Sequence, residues 1–327
     1  MSRADVVVVG AGWAGLSAAS RLSEAGYGVV VVDKGRGAGG RSATRRQDGY
    51  QFDHGAQYFT ARGDAFNNAV TAWQKRGLIA SWSPRITVFG SRPDSAGKTP
   101  AARWIGVPGM NAVLSDLAGG LDCRFDCRVD AIRHAGHWHL SLSKGEALEA
   151  NALVVTAPPA QAAALVGDDH PLFATLNRVP MQPTWALMAG FETTFDPGFD
   201  AAFDNEGPLS WLACNSSKQG RGAACAWVAH ARADWSRQHL ERDPDEVAET
   251  LYAALSRRLD CGHPRSSVLK AHRWRYAQCE ENVQSGCLWQ PEQTLAVAGD
   301  WAAGNRIEGA WTSGQAAAEC IERSFQS

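Results

Sequence analysis

The sequence predicts an α/β protein in which a parallel-sheet domain, assembled from both ends of the chain, is interrupted by a second domain of mixed antiparallel sheet plus helix. Three observations carry this. Continuous valine runs at 6–9 and 29–32 lack period-two alternation, the pattern of parallel strands covered on both faces. Residues 295–323 return to that texture, whereas 160–277 read as longer strands with one amphipathic helix. Finally, 327 residues exceed the roughly 250–300 at which a single core stops growing. Residues 1–73, 97–158 and 277–327 are therefore assigned to the discontinuous domain, and 74–96 with 159–276 to the second.

The elements follow in order. Asp5 to Gly10 reads as a buried strand, followed by a Gly-rich turn, a helix of small and apolar residues from Ala14 to about Ala25, and a strand from Gly28 to Asp33. A helix lies near Asp64 to Arg76. Ser91 to Pro100, rich in Pro, Gly and Ser, is a loop or a hairpin end. After a helix from Asn111 to Leu117, the segments Phe125 to Arg133 and Trp138 to Ser143 alternate as an antiparallel pair would, and Ala152 to Thr156 is a short buried strand ended by Pro158 and Pro159. In the middle section, strands are expected at Trp185 to Glu192, Leu209 to Cys214, Ala224 to Ala231 and Val268 to Tyr276. The helix there, Asp245 to Leu259, sets Val247, Leu251, Leu255 and Leu259 on one face behind Pro244. Leu295 to Gly299 and a Gly/Ala-rich helix from about Gly309 to Arg323 close the chain.

Composition excludes several classes of function. A net charge of −2 with 20% charged residues and no basic run argues against a nucleic-acid partner, which would need a basic face. The eight cysteines are scattered with no C-x-x-C pair, which suits reduced thiols and gives no zinc site. The apolar run Val6 to Val9 is too short for a secretory segment or a membrane span, so a cytoplasmic protein is expected.

The chemistry is concentrated at the two ends. Gly10-Ala11-Gly12-Trp13-Ala14-Gly15 fits G-x-G-x-x-G between a strand and a helix. The first glycine permits the turn, the second lets a pyrophosphate approach the backbone, and the third lets the helix press on the sheet. Asp33 ends the second strand, where a carboxylate can accept from an adenosine ribose. Arg36 to Arg41 reads R-x-x-G-G-R directly afterwards, placing a cation on a loop close to the cofactor. Near the C-terminus, Ala298-Gly299-Asp300-Trp301 and a helix opening at Gly309-Ala310 supply a strand-terminal acid and a positive helix end. The first unit alone suits NAD or FAD; the closing Gly-Asp and helix select FAD.

These motifs, with GAQYFTAR at 55–62, WIGVPGMNAV at 104–113, PTWAL at 183–187, HRWRYA at 272–277 and AGDW followed by GNRIEGAWTSGQAAA at 298–318, resemble the bacterial renalase-like branch of the FAD-dependent amine oxidase superfamily over nearly the full length. The resemblance implies a discontinuous Rossmann-like FAD-binding domain with a substrate domain. It also implies an oxidase that returns 2- and 6-dihydro isomers of NAD(P)H to NAD(P)+ while O2 becomes H2O2. By position, Gly10, Gly12, Trp13, Gly15, Asp33, Lys34, Arg41, Val129, Asp300, Gly309 and Ala310 match cofactor contacts. Gln57, Tyr58, Phe59 and Thr60 lie in the motif beside the flavin, and Trp185 and Arg306 match positions facing the dihydropyridine. With no Cys between Gly299 and Gly309, the flavin is expected to be non-covalent.

Hydride transfer from a dihydropyridine needs a positioned donor and excluded water but no nucleophile or metal, so no acid or base is assigned. Other readings of the same cradle are an amine oxidase or desaturase acting on another small substrate, or a flavin-holding redox sensor. His230 ends a strand and reads as a satisfied core residue. His137 and His139 share a strand face from which His134 points away, so they read as exposed hairpin residues. Lys218 and Lys270 are possible flavin-adjacent lysines that the sequence does not place.

Overall fold

The computed structural model describes residues 3–91, 101–260 and 266–326; positions 92–100 of the Pro/Gly/Ser-rich stretch, and Cys261, lie outside them. An eight-stranded sheet runs in the order Leu288–Gln290, Leu295–Val297, Ala147–Val155, Ala4–Val9, Val29–Val32, Asp122–Arg124, with the Val129–His134 and Trp138–Leu142 hairpin paired onto Ala147–Val155. From Leu295–Val297 to Asp122–Arg124 every neighbour is parallel. The valine runs are continuous because both faces are covered: Val6 and Val8 enter one apolar cluster while Val7 enters another on the opposite side.

Ala147–Val155 is longer than the expected strand at Ala152 to Thr156. Its first half pairs antiparallel with Trp138–Leu142 and its second half parallel with Ala4–Val9, and the alternating exposure of the first half masks it in the sequence. Pro159 does not merely end this strand. It sits in the first turn of a helix, Pro159–Val166, where its missing N–H costs nothing.

The Gly/Ala-rich helix, Ile307–Gln326, packs on the helix Trp13–Glu24 so closely that a Cβ at Gly314 would lie 2.1 Å from the Ala14 carbonyl oxygen. Ser17 and Arg21 of the first helix bond to Trp311 and Glu322 of the last, which ties the two ends of the chain into one domain.

A six-stranded sheet runs Ser266–Cys279, Met181–Phe191, Cys225–Ala231, Leu209–Cys214, Ala201–Asp204, Ile86–Phe89. It is antiparallel except for its last pair. The helix Pro244–Leu259, capped by Asp243 accepting from Asp245 and Glu246 N–H, covers one face with Val247, Leu251 and Leu255 against Leu187, Ala189 and Trp227. The opposite face meets the Thr44–Gln47 and Tyr50–Asp53 hairpin through Tyr50, Phe52, Met188 and Val228. Among the described residues, no helix is long and apolar enough to cross a membrane.

Candidate active site

The Ala4–Val9 strand ends at Gly10, whose φ of +111° favours glycine, and the helix beyond opens at Gly12. A Cβ at Gly15 would lie 1.8 Å from the Gly10 carbonyl oxygen, so turn and helix touch. A Cβ at Gly12 would meet nothing within 4 Å, and no side chain caps the helix, whose first turn carries no acid. An uncapped helix N-terminus with open space before it suits a pyrophosphate. Asp33 links the two glycine loops: its carboxylate accepts from Ala11 N and Gly35 N, each at 2.6 Å, and Gly39 N donates to Ala11 O. Lys34 is directed outward to Gln161, and Val129 begins the hairpin strand beside this end of the sheet. The cradle therefore fits FAD.

A cleft of about 510 Å³ opens between the two sheets. Trp13, Arg41, Asp300 and Ala310 line it from the first domain, as do Tyr58, Phe59 and Thr60 of the GAQYFTAR segment; Thr184, His230 and Trp274 line it from the second sheet. Arg41 grips Asp300 bidentately at 2.5 and 3.0 Å and also donates to the Ala277 carbonyl, so the motifs at 36–41 and 298–301 meet directly. Arg62 and Arg306 also line the cleft. Neither side chain forms an ion pair among the described residues. Glu308, in the first turn of the last helix, instead accepts from the backbone N–H groups of Arg62 and Gly63. Gly309 is buried in that turn, with the Gly304 carbonyl 2.6 Å from where its Cβ would be.

Two of the expected substrate residues lie elsewhere. Trp185 is fully buried on the face of the second sheet opposite the cleft, donating from Nε1 to His239 O beneath the Pro244–Leu259 helix. Strand alternation gives the cleft position to Thr184. Gln57 is buried behind the cleft and does not line it. Its amide nitrogen donates to Asp53 O and its oxygen accepts from Lys218 Nζ at 3.1 Å.

Gln57 belongs to a buried polar cluster that the sequence reading missed. Asp53 is fully buried and accepts from Lys218 Nζ at 3.1 Å, Arg221 Nη2 at 2.6 Å, Thr44 Oγ1 at 2.7 Å and Met110 N at 3.1 Å. Asn215 joins Lys218 to Gln51 O. Burial alone would raise the Asp53 carboxyl, but the charges of Lys218 and Arg221 outweigh it and hold it below the usual carboxylate range. Burial pulls Lys218 down to about 8, against the pull of Asp53. The only local signal was the run Phe52-Asp53-His54, an acid ending an apolar strand next to GAQYF. Lys270, the other lysine left unplaced by the sequence, pairs with Asp245 on the exposed side.

Three histidines stand between this cluster and the cleft. The His54 carbonyl accepts from His230 Nε2 at 3.2 Å and from Trp274 Nε1 at 2.9 Å, and the His54 ring stacks on Trp274. A carbonyl only accepts, so His230 carries its proton on Nε2. Burial pushes His54 and His230 down to about 4, with His272 adding repulsion on His54. These rings are uncharged at neutral pH.

Residues 8–75 match the NAD(P)-binding Rossmann-like domain, and residues 93–322 match the flavin-containing amine oxidoreductase family. The phytoene desaturase of Cercospora nicotianae is 28% identical over 127 residues, 35% of this chain and 20% of that protein. The carotenoid 3,4-desaturase of Haloarcula japonica is 42% identical over 59 residues, 18% of this chain and 12% of its own. The chain thus spans a fifth or less of these curated relatives. A candidate protoporphyrinogen oxidase from Exiguobacterium sp. 255-15 superposes with a TM-score of 0.79 at 13% identity, covering 100% of both chains. At that identity the likeness is one of fold.

Proposed function

The chain belongs to the flavin-containing amine oxidoreductase family, with FAD as its cofactor, and from that premise we propose that it is a renalase-like oxidase of 2- and 6-dihydro isomers of NAD(P)H, giving NAD(P)+ and, from O2, H2O2. The observation that carries this reading is the charge of the cleft. Among the described residues that line it, the one carboxylate, Asp300, is spent on Arg41, while Arg62 and Arg306, both exposed, form no ion pair and lie beside its aromatic residues. A cationic amine would meet repulsion there. A flat dihydropyridine bearing phosphates would find stacking surfaces and two phosphate-binding forks.

Bound FAD, which Gly10, Gly12, Gly15, Arg41 and Asp300 would hold, would supply the hydride acceptor and the route of the electrons to O2. The chain's own residues bind and orient. Tyr58, Phe59 and Trp274 offer apolar surfaces that exclude water from the donor carbon, and Arg62 and Arg306 fix the phosphate end. His230, neutral with Nε2–H committed to His54 O, keeps an unprotonated Nδ1 able to accept a carboxamide N–H. No side chain is asked to remove a proton, because the dihydropyridine nitrogen pushes out the hydride.

The test is anaerobic reduction of the FAD-loaded protein by each isomer, by ordinary 4-dihydro-NADH, by a primary amine and by a carotenoid in detergent. Rapid bleaching by the 2- and 6-dihydro isomers alone is expected. Bleaching by the amine or carotenoid with none by the isomers, or indifference to every donor, overturns the proposal.

A further inference from the structure

We propose that His137, His139 and Glu149 form a binding site for one divalent transition-metal ion of the zinc class on the outer face of the hairpin, away from the cleft. The backbone sets the site. His139 on Trp138–Leu142 is in direct register with Glu149 on Ala147–Val155, and His137 immediately precedes that strand, two residues before His139 and with its ring beside it. Trp138 and Leu140 point into the core between them, so the frame is anchored while the three polar side chains stay half-exposed.

The spacing is close to what a metal requires. His139 Nδ1 lies 3.3 Å and His137 Nε2 3.7 Å from the two oxygens of Glu149, the imidazole centroids are 4.2 Å apart, and one ligand atom from each residue falls within 4.8 Å of the others. Metal–ligand bonds of about 2.0–2.2 Å in a tetrahedron place neighbouring donors about 3.3–3.6 Å apart. The His139–Glu149 edge is already within that range, and the remaining closure is a side-chain adjustment on a fixed backbone. Two imidazoles and one carboxylate suit zinc, cobalt(II) or nickel, whereas calcium and magnesium prefer all-oxygen sets. Exposure leaves the fourth position to water. A nearby charge opposes the ion: Arg133, exposed and in register with His139 on the Val129–His134 strand of the hairpin. None of these residues lines the cleft.

The experiment is titration of the FAD-loaded, reduced full chain with Co2+, followed by visible absorption, and with Zn2+, followed by calorimetry. The expectation is one ion per chain without a thiolate-to-cobalt band in the near-ultraviolet. His137→Ala, His139→Ala and Glu149→Gln should each weaken binding on the order of tenfold or more. Arg133→Ala should tighten it, and His134→Ala should leave it unchanged. A thiolate band, which would move binding to cysteines such as the Cys287 and Cys320 pair 3.9 Å apart, overturns the proposal. So does unchanged affinity in His139→Ala, or absence of binding in a wild-type protein with normal thermal unfolding.

Discussion

The Asp53 cluster ties the second sheet to the segment that walls the cleft, and it yields a graded prediction. Asp53→Ala removes the carboxylate that pairs with Lys218 and Arg221, both fully buried. Lys218, already drawn down to about 8, relieves itself by releasing its proton. Arg221 cannot. A buried guanidinium stripped of its carboxylate costs about 3–5 kcal/mol. Lys218→Met leaves the contacts of Arg221 with Asp53 intact and removes one of the donors to that carboxylate together with the donor to the Gln57 and Asn215 oxygens, a loss of about 1–3 kcal/mol. At roughly 2 °C per kcal/mol for a chain of this size, Asp53→Ala should lower the unfolding midpoint by about 6–10 °C and Lys218→Met by about 2–6 °C. Tryptophan fluorescence during thermal unfolding of the FAD-loaded proteins measures both. Lys218 adds a pH signature. The unfolded chain keeps the lysine proton up to about 10.4, while the folded chain begins to lose it near 8. Between those values the unfolded state binds more protons, and wild-type stability rises with pH relative to Lys218→Met. An Asp53→Ala protein as stable as wild type, a larger loss in Lys218→Met, or a gap between wild type and Lys218→Met that is constant from pH 7 to 10 would refute the account.

Four further outcomes are expected. Gly15→Ala drives a methyl to within 1.8 Å of the Gly10 carbonyl, so the purified protein should lose its flavin absorbance. Trp185→Phe forfeits the bond to His239 O and should cost about 1–2 kcal/mol in urea unfolding with kcat and KM unchanged, a result that separates it from the cleft. Arg306→Ala should raise KM for a phosphate-bearing dihydronicotinamide about tenfold, equivalent to about 1.4 kcal/mol, but leave KM unchanged for one stripped of its phosphates; equal losses on both would mean the arginine is structural. His54 and His230, held near 4 in the fold, stay neutral while the unfolded chain takes up protons below about 6.5. Stability should therefore fall as pH drops from about 6.5 towards 4, while kcat/KM shows no histidine inflection near 6.5; such an inflection, abolished in His230→Gln, would contradict the assignment.

What could be read from the sequence and what could not divides by the range of the interaction. The turn at Gly10 to Gly15, the valine strands and the Pro244–Leu259 helix follow from backbone geometry and periodicity within about a dozen residues, and each stands in the structure where those patterns put it. Arg41 and Asp300 are separated by 259 residues, yet each sits in its own local motif, so both were legible although their bond was not. The Asp53 cluster had no such aid. Lys218 and Arg221 lie 165 and 168 residues from their carboxylate, in a stretch, Ser216-Ser217-Lys218-Gln219-Gly220-Arg221, whose local pattern did not place the lysine.

Trp185 shows the other limit. Alternation says that Thr184 and Trp185 face opposite ways, but which face becomes the cleft wall is decided by where the second sheet docks, and the tryptophan went to the helix side. The same distinction governs function. The cradle that places the chain in its family is local, and a cradle of this kind serves many chemistries. In the proposed reading, choice of substrate rests on the wall, where Arg62 and Arg306, which form no ion pair among the described residues, and the aromatic surfaces of Tyr58 and Trp274 meet only after docking. Exchanging those two arginines tests the substrate, and the outcome leaves the cofactor assignment untouched.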